Sequence, residues 1–308
     1  AGNDANLTLE TVGSTNSLAG QKRLVIDTTG PTVVSVTKDA LGGQTGTAQG
    51  YYNESYWVNF HINFTDDFST GDDIITVNTT GGTPTLVVDT REDGATDPSA
   101  SFLDDRGSGS LRFRYNPSYP EASSAMDYVN TTSLTTNGGT IRDKAGNDAT
   151  LTLPALGGGN SLSNSVTYVI DTVDPEIERV TSSLANGTYK KGDVITIIVD
   201  MNEDVYLGGF TNPNDYTAAN VPLLELETGN VEDGTATYVS GSGNDSLMFN
   251  YIVGNNHESL DLDYLDGAPW NDTDKVWSIF QDRATNVWNR SAPANPGGTN
   301  SLSNLKDL

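Results

Sequence analysis

The chain has 308 residues, of which 41 are acidic and 16 basic, for a formal net charge of −25. That balance excludes the positive face a nucleic-acid binder needs, and the absence of cysteine excludes a disulfide framework and thiol chemistry. No apolar run approaches the roughly 18 residues of a membrane span and no leader precedes Ala1, so a processed or excised segment without membrane insertion is expected.

In chain order, the first signal is a unit that returns. Residues Ala1 to Pro31 align without a gap with Ala145 to Pro175, and a shorter third copy runs from Ala284 through Asn300 to Asn304. The copies are about one domain length apart. The reading is a leading unit, 1–30, followed by module A, 31–172, and module B, 173–308. Within the leading unit the alternation N-L-T-L at Asn6 to Leu9 predicts a half-buried strand, and Leu24, Val25 and Ile26 predict a second. Asp27 to Pro31 is the expected hinge, because proline disfavours helix and favours an extended link.

Val33 to Val36 resumes a strand pattern. Tyr52 to Phe68 then aligns gaplessly with Tyr189 to Val205. Val58, Phe60, Ile62 and Phe64 form one face in module A, and Ile195, Ile197, Val199 and Met201 form it in module B. Both strands run into acidic pairs, Asp66 and Asp67 or Glu203 and Asp204. Pro84 to Thr90 matches Pro222 to Thr228. Ala100 to Tyr115 matches Ala236 to Tyr251, each two strands around a Gly-Ser turn, hence a hairpin. Met126 to Tyr128 matches Leu262 to Tyr264, and Asp143 matches Asp282. No segment carries a 3.6-residue period over eleven or more positions, so seven to nine short alternating strands per module predict an all-β chain of two tandem antiparallel sandwiches.

The strings VIDT-x-x-P, Y-x-x-G-D-x-I, Y-V-S-G-S-G, LDY and D-x-A-x-N followed by NSL resemble those of bacterial and archaeal extracellular immunoglobulin-like repeats, which occur in tandem in large adhesins and surface-layer proteins. Module B (Tyr189, Gly192, Asp193, Ile195, Tyr238 to Gly243, Leu262 to Tyr264) is the more typical copy. Module A departs at Asn53 to Tyr56, where the Gly-Asp turn is missing, and has a longer loop near Tyr119. The resemblance implies an exported, non-catalytic building block of a surface layer or fibre, often stiffened by calcium.

Recurring carboxylates are the candidate metal ligands: Asp27, Asp66, Asp67, Asp127 and Asp143 in module A, and Asp171, Asp174, Glu203, Asp204, Asp263 and Asp282 in module B. Calcium takes six to eight oxygen ligands. The competing reading is that these residues cap turns, since Asp and Asn bond their own backbone in loops. DLDYLDG at Asp261 to Gly267 lacks EF-hand spacing. His61 and His257 fall at unmatched positions without a ligand pattern, and the Gly-Ser segments lack G-x-S-x-G spacing, so no enzyme is expected. Trp57, Trp270, Trp277 and Trp288 are weighed as sugar platforms against core or interface packing; the last three carry the alternative reading, an adhesin module recognising glycans or other cells. Nine sequons, at Asn6, Asn53, Asn63, Asn78, Asn130, Asn186, Asn244, Asn271 and Asn289, permit a surface glycoprotein. The expected partners are further copies or adjacent repeats, met head-to-tail, with Leu24, Val25 and Ile26 as the assembly strand.

Overall fold

Alternating β-branched and aromatic residues form strands wherever one face finds a core. In the computed structural model, which describes residues 2–22, 24–39, 50–66, 75–91, 95–207, 222–229, 233–266, 280–288 and 294–308, they do so in two successive sets. Module A comprises β1 (Thr32–Lys38), β2 (Tyr51–Tyr52), β3 (Val58–Thr65), β4 (Thr76–Asn78), β5 (Thr85–Asp89), β6 (Ser99–Asp105), β7 (Ser110–Tyr115), β8 (Ala122–Ser123), β9 (Asp127–Tyr128), β10 (Leu134–Thr135), β11 (Thr140–Arg142) and β12 (Val169–Asp171). Module B comprises β13 (Ile177–Ser182), β14 (Val194–Leu207), β15 (Leu223–Glu227), β16 (Gly234–Ser240), β17 (Asn244–Ile252), β18 (Asp263–Tyr264) and β19 (Phe280–Gln281). The helices are single turns: α1 (Leu18–Gln21), α2 (Leu162–Ser165) and α3 (Leu302–Leu305). The chain is therefore all-β.

The main sheets have the same order. Module A runs β1-β3-β7-β6-β5-β10 with β9 also on β5, and module B runs β13-β14-β17-β16-β15-β18. Each is one curled antiparallel sheet. Val58, Phe60, Ile62 and Phe64 are buried in module A, as are Ile195, Ile197, Val199 and Met201 in module B. Phe60 stacks on Phe113 at 6.1 Å, and Tyr238 meets the edge of Phe249 at 5.7 Å. The buried apolar side chains divide into two clusters, one spanning Val36 to Ile170 and the other Val180 to Leu308. The turn after β2 closes without the Gly-Asp pair: Tyr56 N donates to Asn53 O as Asp193 N does to Lys190 O.

The repeated NSL triplet is a peg. Ser161 and Ser301 begin α2 and α3, and Leu162 and Leu302 are fully buried. Val36 N donates to Asn160 O, and Val180 N to Asn300 O, tying each peg to the first strand of its module.

Two strand expectations fail in the leading unit. Asn6 to Leu9 and Leu24 to Ile26 form no strand; Leu7 and Leu9 are 86% and 91% exposed. A strand needs a ladder partner and a face to cover. In the second copy Ile170 finds both in β12, and Leu153 is buried with one bond to Thr131 O but forms no strand either, whereas Leu7, Leu9 and Leu24 to Ile26 are exposed.

Candidate metal centres

Three segments converge at the head of each module. In module B, Asp171 ends β12, Glu203 sits where the pairing of β14 with β17 shifts register between Asp200 and Val205, and Asp282 follows β19. Oxygens of Asp171, Glu203 and Asp282 all lie within 4.8 Å of one another. In module A the same is true of Asp27, Asp66 and Asp143. These residues are matched pair by pair in the alignment: Asp27 with Asp171, Asp66 with Glu203, Asp143 with Asp282.

An asparagine locks each group. Asn286 Nδ2 donates to Asp171 O at 2.9 Å, Val173 O at 3.2 Å and Asp282 Oδ2 at 2.6 Å, while its backbone N donates to Asp282 Oδ1. Asn147 repeats the pattern toward Asp27 O at 3.3 Å, Thr29 O at 3.4 Å and Asp143 Oδ2 at 2.7 Å. The incoming hinge is thus fastened to the D-x-A-x-N loop. Gly30 lets it come close, since a Cβ there would stand 2.0 Å from Asp148 O.

The triad of module B lies where the two modules touch. Arg283 donates from Nε to Tyr206 Oη and from Nη1 to Tyr51 Oη of module A, and Asn53 Nδ2 reaches Thr285 Oγ1 at 3.4 Å. Burial, then the neighbouring Asp171 and Asp282, pushes Glu203 up to about 8. Burial and Asp171 push Asp282 up to about 7, and burial raises Asp171 as well. Three clustered carboxyls resist full ionisation because each charge loses water and faces the others. In module A burial also works against the Asp143 anion, but hydrogen bonds from Asn147, Gly146 and Ala145 outweigh it and leave its pKa lowered.

The remaining sequence candidates divide. Asp174 and Asp204 add charge beside Glu203, and Asp204 faces Arg283 at 3.9 Å. Asp67 lies outside the described residues. Asp127 and Asp263 belong to neither triad. Asp127 accepts from Tyr128 N and Ser163 Oγ, and Asp263 from Tyr264 N, Gly297 N and Ser303 Oγ, so both anchor the helical pegs. For these two, capping chemistry is what the structure displays.

Trp288 is 3% exposed and packs edge-on against Phe280, so it is core and no sugar platform. Trp270 and Trp277 lie outside the described residues. Among the sequons, Asn6, Asn78, Asn130, Asn186 and Asn244 are exposed. Asn53 is buried against module B, and Asn63 binds Ser35, Thr37 and Ser110, so neither amide is presented for modification. Asn271 and Asn289 fall outside the described residues.

Sequence reasoning missed one matched pair. Glu121 is buried, accepting from Tyr115 Oη, from Ser118 N at 2.9 Å and from Arg91 Nη2 at 3.4 Å. In module B its aligned position is His257, whose Nδ1 lies 2.7 Å from Tyr251 Oη and accepts from Gly254 N. The signal was the repeat alignment, which puts a different acceptor opposite the same tyrosine. No protein-family model matches the chain, nor does any curated protein or solved structure.

Proposed function

We propose that this chain is a non-catalytic structural element of an exported cell-surface assembly, a surface layer or fibre, built from immunoglobulin-like modules whose junctions are stiffened by calcium. One observation carries the reading: a three-carboxylate cluster occurs at the same place in both modules, each where an incoming hinge meets a module head. Buried like charges need a proton or a cation, and an all-oxygen donor set suits a hard divalent cation. Asp171, Glu203 and Asp282 would hold one ion, and Asp27, Asp66 and Asp143 another. Bound there, the ion neutralises the cluster and ties three segments together. The solvated acidic exterior fits an extracellular location.

Calorimetric titration with calcium tests the proposal. Two binding events per chain are expected, with Glu203→Gln removing one and Asp66→Asn the other. Absence of heat, together with an unfolding temperature indifferent to chelator, removes the cation from this account. The glycan-binding alternative gains nothing from Trp288, which is buried.

A further inference from the structure

One sequon amide is held in place by the fold and left unused by it. Asn130 opens the turn between β9 and β10, and three bonds fix that turn. Asn130 N donates to Ser133 Oγ at 2.9 Å, Ser133 N donates to Asn130 O at 3.1 Å, and Leu153 N reaches Thr131 O at 2.9 Å. Ser133 and Leu134, which follow, are buried, whereas Asn130 and Thr132 are exposed.

Thr132 donates to Asn130 Oδ1 twice, from its backbone N at 2.9 Å and from Oγ1 at 2.7 Å. Among the described residues no group accepts from Asn130 Nδ2. An aspartate would cap this turn as well, because only the side-chain oxygen takes part. Module B has one at the matched place. Carried forward, the register of Met126–Tyr128 on Leu262–Tyr264 sets Asp266, Gly267 and Ala268 against Asn130, Thr131 and Thr132. What module A adds is an amide nitrogen and a hydroxyl, and the cap itself requires neither.

The other described sequons each lack part of this arrangement. Asn53 accepts from Ser55 N but is buried, and its Nδ2 reaches Thr285 Oγ1. Asn63 Nδ2 is spent on Ser35 and Thr37. Asn244 Nδ2 donates to Gly241 O at 3.3 Å, and its sequon hydroxyl, Ser246 Oγ, turns to Asp200. Asn186 is exposed, with Gly187 N turned to Asp307 O. Asn6 and Asn78 are exposed and accept from the backbone N of Thr8 and Thr80, without the hydroxyl bond seen at Asn130.

We infer that Asn130 is an N-glycosylation site of module A, accepting a glycan carried on a polyprenyl diphosphate. This rests on the reading of the chain as exported and adds a partner to it, the transferring enzyme. In the transfer Asn130 Nδ2 attacks the anomeric carbon of the sugar. A nitrogen–carbon bond forms as the bond from that carbon to the diphosphate oxygen breaks. The diphosphate leaves with the electron pair, and the amide proton passes to a base of the enzyme. An amide nitrogen is a weak nucleophile because its lone pair is shared with the oxygen. As the proton leaves, charge gathers on Oδ1, where two donors already point. The product costs the turn none of these hydrogen bonds, and the sugar projects into solvent.

The test offers the folded full-length chain to a purified oligosaccharyltransferase with its polyprenyl-diphosphate donor and maps the product by peptide mass spectrometry. Transfer is expected first at Asn130, more slowly at Asn78, and not at Asn53 or Asn63. A proteolytic digest of the chain should accept at all of them. Asn130 left bare in the folded chain while the digest is modified there overturns the inference, as does modification of Asn53 and Asn63 as fast as Asn130. Asn130→Asp keeps the capping oxygen, so it should end transfer at this position and leave the unfolding temperature unchanged. A fall in that temperature would assign Nδ2 to the fold and overturn the inference too. Location is read separately, by whether intact cells expose the chain to added protease. A surface chain that is bare at Asn130 overturns this inference alone, and a chain confined inside cells overturns the exported reading with it.

Discussion

The two triads are built from matched residues, yet they are differently placed. At the junction of modules A and B burial raises all three carboxyls. At the head of module A the hinge comes from a unit whose apolar side chains are exposed, and hydrogen bonding leaves Asp143 lowered. The contrast lies in which influence prevails on matched carboxyls: burial and like charge at Asp282, hydrogen bonding at Asp143.

The largest expected effect that separates the two junctions is pH dependence without divalent cations. Glu203 and Asp282 have folded pKa values of about 8 and about 7, above their ordinary values. The folded state then holds more protons than the unfolded state, so stability falls as pH rises from about 4 through 8. Module B should lose unfolding temperature across this window in chelator, and calcium should restore it most at the alkaline end. A flat profile would show that the clustered charges are relieved some other way.

Next comes a contrast inside the modules. Glu121→Ala leaves Tyr115, Arg91 and Ser118 without their shared acceptor and should cost module A about 3 kcal/mol. His257→Ala removes the ring nitrogen that Tyr251 Oη and Gly254 N face and should cost module B about 1 kcal/mol. Denaturant titration of each variant measures both, and equal losses would break the comparison. At calcium a hundredfold above its dissociation constant, each bound site adds about 2.7 kcal/mol. Smaller still is the asparagine lock. Asn286→Ala should cost about 2 kcal/mol, and Asn147→Ala about 1 kcal/mol because its bonds to the hinge are longer and more exposed; thermal melts of the two variants check the order.

The triads were legible because the repeats hold their register from Asp27 to Asp171, from Asp66 to Glu203 and from Asp143 to Asp282, so alignment alone placed the same chemistry twice. Pattern could not separate a ligand from a cap: Asp127 and Asp263 recur as faithfully, but they bond serines of the pegs. The pegs were invisible as helices, since one turn carries no period. Leu24 to Ile26 has the composition of a strand, and what it lacks is a partner, which no local pattern records. The Glu121 and His257 pair escaped because different side chains serve the same tyrosine.

β12 also bears on how the link between the two modules answers to load. It is bonded on both sides, with Val169 N to Gly50 O, Thr172 N to Glu121 O and Tyr168 O receiving Met126 N, and it departs along its own axis into the hinge. Tension on that line loads these bonds side by side, the antiparallel ones toward β8 perpendicular to the strand and the parallel one toward β2 slanted. They must shear together instead of unzipping in turn, so a chain pulled through this link should yield by an abrupt, discrete rupture.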